Sequence, residues 1–178
     1  MSEKKLIIDQ LKFTHEGVFD LRELYRLIAS FFYEQGWDWK EIMNSEQVLP
    51  TGRHIRIELE PWKSITDYFK MILRIRIHGS DIKQITVEKD GVKVPLLEGK
   101  LMIIFDGYVL SDRAGKWENH PTLWFIRLIF DKYIFKGHYV KAEQWMVSAA
   151  EDLYIRIRKL LNVSYPGERG FITKHVLN

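Results

Sequence analysis

Two short runs constrain the fold of this 178-residue chain more than any other feature: Arg53-His-Ile-Arg-Ile-Glu-Leu-Glu60 and Lys70-Met-Ile-Leu-Arg-Ile-Arg-Ile-His78. In the first, Ile55, Ile57 and Leu59 alternate with His54, Arg56, Glu58 and Glu60. In the second, Met71, Leu73, Ile75 and Ile77 oppose Arg74, Arg76 and His78. Successive side chains of an extended strand point to opposite faces, so this period of two predicts strands with one buried and one solvated face. That is the pattern of an antiparallel sheet rather than of a parallel sheet covered on both sides.

Further strand-length segments surround these runs. Lys5 to Thr14 is a mixed apolar stretch. Gly79-Ser-Asp81 predicts a turn, Ile82 to Lys89 a strand, Asp90-Gly91 a tight hairpin and Val92 to Leu97 its return. Gly99 predicts another break. Lys100 to Leu110, KLMIIFDGYVL, is apolar on both faces. The most apolar stretch is Thr122 to Phe135, TLWFIRLIFDKYIF. Its β-branched and aromatic content and the preceding Pro121 favour a final strand, with Gly137 turning the chain into the last helix. A helix, with Arg127 and Asp131 as an i,i+4 ion pair, is the alternative. As a membrane span the stretch is too short and too charged.

Helical spacing shows in two places. Leu21, Leu24, Tyr25, Ile28, Phe31 and Phe32 form one stripe. Asp20 is its predicted N-cap, Glu23 sits three residues later as in a capping box, and Gly36 is its stop. A short second helix is expected over 38–44, closed by Pro50-Thr-Gly52. Tyr139 to Asn162 carries a longer stripe of Ala142, Trp145, Met146, Ala149, Leu153, Ile157 and Leu160. The expectation is a single α+β domain over 1–165 and a C-terminal tail over 166–178, with no linker, repeat or low-complexity segment.

Composition narrows the function classes. Hydrophobic residues make up 46%, enough for a sizeable core. Aromatics make up 13%, and aromatics line ligand cavities and interfaces as well as cores. The net charge of +3 is mildly basic and permits an anionic partner without a dense Lys/Arg run that would demand one. Without cysteine, disulfides and thiol chemistry are excluded. The start MSEKKLIIDQ has no secretory h-region, and a cytoplasmic location is the expectation. No phosphate-binding glycine loop and no HExxH is present, and the six histidines lack ligand spacing. No metal or cofactor is expected.

The element order is strand, helix, short helix, about six antiparallel strands and a long C-terminal helix. Over roughly Lys5 to Asn162 this order resembles the helix-grip fold of the START and polyketide-cyclase-like superfamily. The resemblance rests on element order alone. It implies a curved antiparallel sheet of about six to seven strands wrapped on the terminal helix, and an apolar cavity for a hydrophobic small molecule or lipid. Fold does not fix function, so only the cavity is carried over.

Polar residues inside apolar strands are the remaining signal. Asp106 follows LMIIF and Arg127 follows WFI. If 100–110 and 122–135 are hairpin neighbours, these two meet across the pair, as a structural ion pair or as a polar anchor in an apolar pocket. Tyr108, Trp124 and Trp145 are the wall residues of such a ligand site, or ordinary core. A noncatalytic binding protein is the first reading. An interaction module is the second, docking a protein, or less readily nucleic acid, through Arg56, Arg74 and Arg76 on one sheet face and Trp117 in the loop DRAGKWENHP. Those arginines are equally well a solvated strand face diluted by Glu58 and Glu60. An enzyme using Asp106, Tyr108 and Arg127 is the third reading, without a catalytic motif behind it.

Overall fold

A computed structural model describes residues 3–50, 52–66, 69–89, 92–111 and 136–161. Their order is β1 (Glu3–Phe19), α1 (Leu21–Glu34), β2 (Glu41–Leu49), β3 (Gly52–Leu59), β4 (Trp62–Ser64), β5 (Phe69–Lys89), β6 (Val92–Ser111) and α2 (Lys136–Lys159). The strands form one curved, open, antiparallel sheet ordered β1-β6-β5-β3-β2, with β4 paired to β5. The α+β class with a C-terminal helix follows. The final-strand reading of 122–135 lies outside the described residues, as do Trp117, Trp124 and Arg127.

The alternating runs set the two faces. Ile57 and Leu59 of β3, and Met71, Leu73, Ile75 and Ile77 of β5, are buried on the inner face. Ile103, Phe105 and Val109 of β6 and Phe13 of β1 continue that layer. The two helices complete it with Leu24, Ile28, Phe31 and Phe32 of α1 and Ala142, Met146, Ala150, Leu153 and Ile157 of α2. Tyr154 of α2 meets Phe13 edge-on at 5.7 Å and Phe105 at 6.4 Å, which places this helix against β1 and β6. Arg156 joins the helices to each other. It bonds Asp152 one turn back, lies 3.7 Å from Glu34 and stacks 5.1 Å over Phe31.

The ends of α1 follow from its sequence. Asp20 accepts from the backbone N–H of Arg22 at 2.8 Å and of Glu23 at 3.2 Å. At the other end Gly36 takes φ +66°, the left-handed conformation that a side chain resists. Its N–H reaches the carbonyl of Tyr33 and the N–H of Trp37 reaches that of Phe32, so two otherwise orphaned carbonyls are satisfied. Phe32 and Trp37 pack together at 5.3 Å, the apolar contact that accompanies this stop. Lys63 adds a cation, donating to the Gln35 carbonyl at 2.6 Å.

Several expectations need correction. The segment 38–44 is not a helix. After Asp38 bridges to Trp62 of β4, Glu41–Leu49 runs as an edge strand against β3. Nor does the chain turn at Gly79-Ser-Asp81 or break at Gly99. β5 and β6 pass through both points as one long hairpin that pairs Lys89 with Val92. What the glycines mark is a bulge: the register shifts between Ser80 and Lys83, and Asp81 has φ +56°. A Cβ on Gly99 would stand 3.0 Å from the Ser80 carbonyl oxygen and 3.1 Å from Ile82 Cα, so the neighbouring strand must carry glycine there. Gly137 lies inside α2, which starts at Lys136, one turn earlier than expected. Trp145 is not part of that helix's buried stripe but 55% exposed.

Candidate functional site: a neutralised sheet face and an aromatic groove

β6 lies between β1 and β5, so both of its edges are occupied at Asp106. The expected Asp106–Arg127 contact lies outside the described residues, because Arg127 does. Asp106 points to the outer face, away from α2, and is only 3% exposed. Its Oδ2 accepts from Arg76 Nη2, and its Oδ1 accepts from the Gln10 backbone N–H at 3.0 Å. Gln10 sits in an irregular stretch of β1 with φ +48°, where the register slips between Ile8 and Leu11. The carboxylate thus satisfies a donor that the bulge takes out of the ladder. Directly across from Asp106 stands Arg74, but Arg74 is held elsewhere. Its Nε is 2.7 Å from Glu60 Oε1 and 3.2 Å from Glu58 Oε1. Burial opposes its charge, but Glu60 and Glu58 outweigh this and raise the Arg74 pKa.

Tyr108 shares the outer face, half-buried. Lys4 Nζ lies 3.6 Å over its ring and the Arg74 guanidinium 5.8 Å. Burial, then the Asp106 charge, push its hydroxyl pKa up. His78, opposite Arg56 in the register, is shifted the other way: burial first, then the Arg56 and Arg76 charges, lower its pKa. The face that reads as basic in sequence is thus largely neutralised from within, Arg74 by Glu58 and Glu60 and Arg76 by Asp106. Arg56 stays exposed.

The three described members of the expected ligand set do not share one site, and Trp124 and Arg127 lie outside the described residues. Asp106 and Tyr108 are on the outer face of the sheet, whereas Trp145 is on α2 over the inner face. Trp145 lines a cleft of about 290 Å³ with Gln35, Trp37, Lys63, Met71 and Ala149. A larger groove of about 640 Å³ runs along α1, walled by Tyr25, Phe32, Tyr33, Trp37 and Trp39 and floored by Ala29 and Ser30. The rings brace one another: Tyr25 meets Trp39 at 5.7 Å, and Phe32 meets Trp37 at 5.3 Å and Trp39 at 6.4 Å. Tyr25 donates to Glu41 Oε2 at 2.5 Å, and burial and this carboxylate raise its pKa. Glu34 also lines the groove, and among the described residues no lysine or arginine does.

These residues were missed in sequence, where Tyr25 and Phe32 read as helix stripe. The available signal was Trp37-Asp-Trp39 just past Gly36: two tryptophans two positions apart, following a helix that carries tyrosines at 25 and 33. Among the described residues no group of three or more His, Asp or Glu is placed to hold a metal ion, and no helix is long and apolar enough to cross a membrane. No protein-family model matches the chain, and no curated protein matches it.

Proposed function

We propose that this protein is a noncatalytic binding protein whose ligand, an aromatic small molecule or a lipid chain, occupies the groove along α1. The observation that carries this reading is the wall of five aromatic rings around about 640 Å³. That volume falls in the range of about 300–1,000 Å³ that ligand sites occupy, and the lining has the expected mix of apolar surface with a few polar groups. Tyr33, 86% exposed, and Trp39 leave a large apolar surface in water that a ligand would cover.

A relation to the helix-grip group is part of the proposal. It is supported by the open curved sheet, the early helix α1 and the C-terminal helix packed on the inner face. The site differs from the one that relation implies: the space under α2 is the smaller cleft, and the groove lies beside α1. Docking of nucleic acid through the outer face gains little support, because Arg74 and Arg76 are already matched by carboxylates.

Tryptophan fluorescence titration and thermal shift against fatty acids and polycyclic aromatic compounds test the reading. A compound that binds the native state raises its melting temperature. Saturable binding is expected, weakened about tenfold or more in Tyr33→Ala/Trp39→Ala. No binder in the panel, or binding unchanged in that variant, would sink it.

A further inference from the structure

Resting on the groove reading above, we infer that the occupant is an organic cation: an aromatic or aliphatic body that carries a methylated ammonium head. The walls of the groove are ring faces. Tyr25, Phe32, Tyr33, Trp37 and Trp39 line it. The rings stand at steep angles to one another, 74° between Tyr25 and Trp39, 66° between Phe32 and Trp37, and 52° between Phe32 and Trp39. Inclined rings surround a guest from several sides, where parallel rings would only sandwich a flat one. The face of an aromatic ring is the negative part of its quadrupole and attracts a cation, tryptophan most strongly. Tyr25 is reinforced in this role. It donates to Glu41 Oε2 at 2.5 Å, and a phenol polarised toward a carboxylate has a more electron-rich ring.

The formal charge at the groove has the same sign as the ring faces. Glu34 lines it, and Glu41 is joined to its Tyr25 wall. Arg156 is committed elsewhere. Its Nε and Nη2 are bonded to Asp152 at 3.3 and 3.2 Å, and its Nη1 lies 3.7 Å from Glu34, beyond hydrogen-bond range. A carboxylate head would meet Glu34 and the ring faces as like charges. An unmethylated ammonium brings three N–H donors, for which the lining offers only Glu34, the Ser30 hydroxyl and the tyrosine hydroxyls. A methylated head has fewer donors to satisfy and a weaker hydration shell to lose, which is why aromatic cages select it. The groove, at about 640 Å³, is larger than such a head and leaves room for an apolar body beside it.

A pair of isosteres isolates the charge. The compounds para-hydroxyphenyltrimethylammonium and para-tert-butylphenol share one shape and differ in a positive nitrogen for a neutral carbon. Isothermal titration calorimetry on the full chain, in slightly acidic buffer where both phenols are protonated, is expected to show the cation bound about tenfold more tightly. Trp39→Leu keeps an apolar wall but removes the ring face, and is expected to erase most of that ratio, while Trp39→Phe keeps part of it. Glu34→Gln, at an exposed position, is expected to weaken the cation about threefold and leave the neutral compound unchanged. Neutral binding as tight as that of the cation, or a ratio that survives Trp39→Leu, overturns the inference and leaves the groove as a neutral apolar site. If neither isostere binds, the cation is overturned too, and the groove reading then stands only if a fatty acid or polycyclic compound binds there.

Discussion

At one edge of the sheet β1 carries Lys4, Lys5 and Lys12 on exposed positions, bends at two register shifts and sends Phe13 into the core against Tyr154. Lys5 also pairs with Glu143, tying the edge to α2. At the other edge β2 buries nothing, carries only Glu41 and Glu46 as charges, and is held through β3 and the Tyr25–Glu41 and Arg53–Glu46 contacts. Both are edge strands of the described sheet. One is made unable to pair by charge and curvature, and packing makes it part of the core. The other carries a bulge at Ile42 and two carboxylates, Glu41 and Glu46, that the register sets opposite the inner-face residues Leu59 and Ile55. Edge protection is thus a property of individual side chains and bulges, not of position in the sheet.

The comparison predicts a steep contrast in stability. Phe13→Ala removes a buried ring from β1 and is expected to cost about 3–5 kcal/mol in urea unfolding. A cost near that of a surface change would mean that β1 is not anchored by this contact. Next is Asp106→Ala, which leaves the Gln10 N–H and the Arg76 guanidinium without their acceptor. A loss of about 1–3 kcal/mol is expected, tempered by the part-exposure of Arg76. Hydrogen exchange should show the Gln10 amide as the most accelerated, and an unchanged Gln10 amide would refute the role given to the carboxylate.

At the other edge, Val48→Lys is expected to change unfolding stability at low protein concentration by no more than about 0.5 kcal/mol. A larger loss would show that β2 is packed and not open. The smallest effect lies between the edges, at His78. Burial and the Arg56 and Arg76 charges hold its folded pKa below the usual 6.5. Below that value the unfolded chain takes up a proton that the folded one resists, so stability should decline as pH falls from about 6.5. His78→Gln should flatten that part of the profile, and an identical slope in the variant would assign it to another group.

Much of this was legible in local pattern. The Asp20 cap, the Gly36 stop, the α1 stripe and the two faces of β3 and β5 each depend on residues a few positions apart, where spacing and backbone preference decide. Asp106 was visible as an anomaly in an apolar strand, but its partner was not. The ion pair runs diagonally to Arg76 because Arg74, directly opposite, is taken by Glu58 and Glu60. That choice depends on register among three strands, and register is a long-range property. β2 was misread because EIMNSEQVL has no alternation of its own to declare a strand. It is extended only because β3 offers it a ladder.

By itself, then, the sequence determined the antiparallel class, the caps of α1 and the faces of the alternating runs in β3 and β5, since a period of two and a capping side chain act within one segment. Which strand lies beside which, that Gly79 and Gly99 mark a bulge and not a turn, and that Trp37 and Trp39 close a groove with Tyr25 and Tyr33 were decided only in three dimensions. Each joins residues far apart in the chain, whose meeting depends on how the whole sheet pairs and where the helices settle on it.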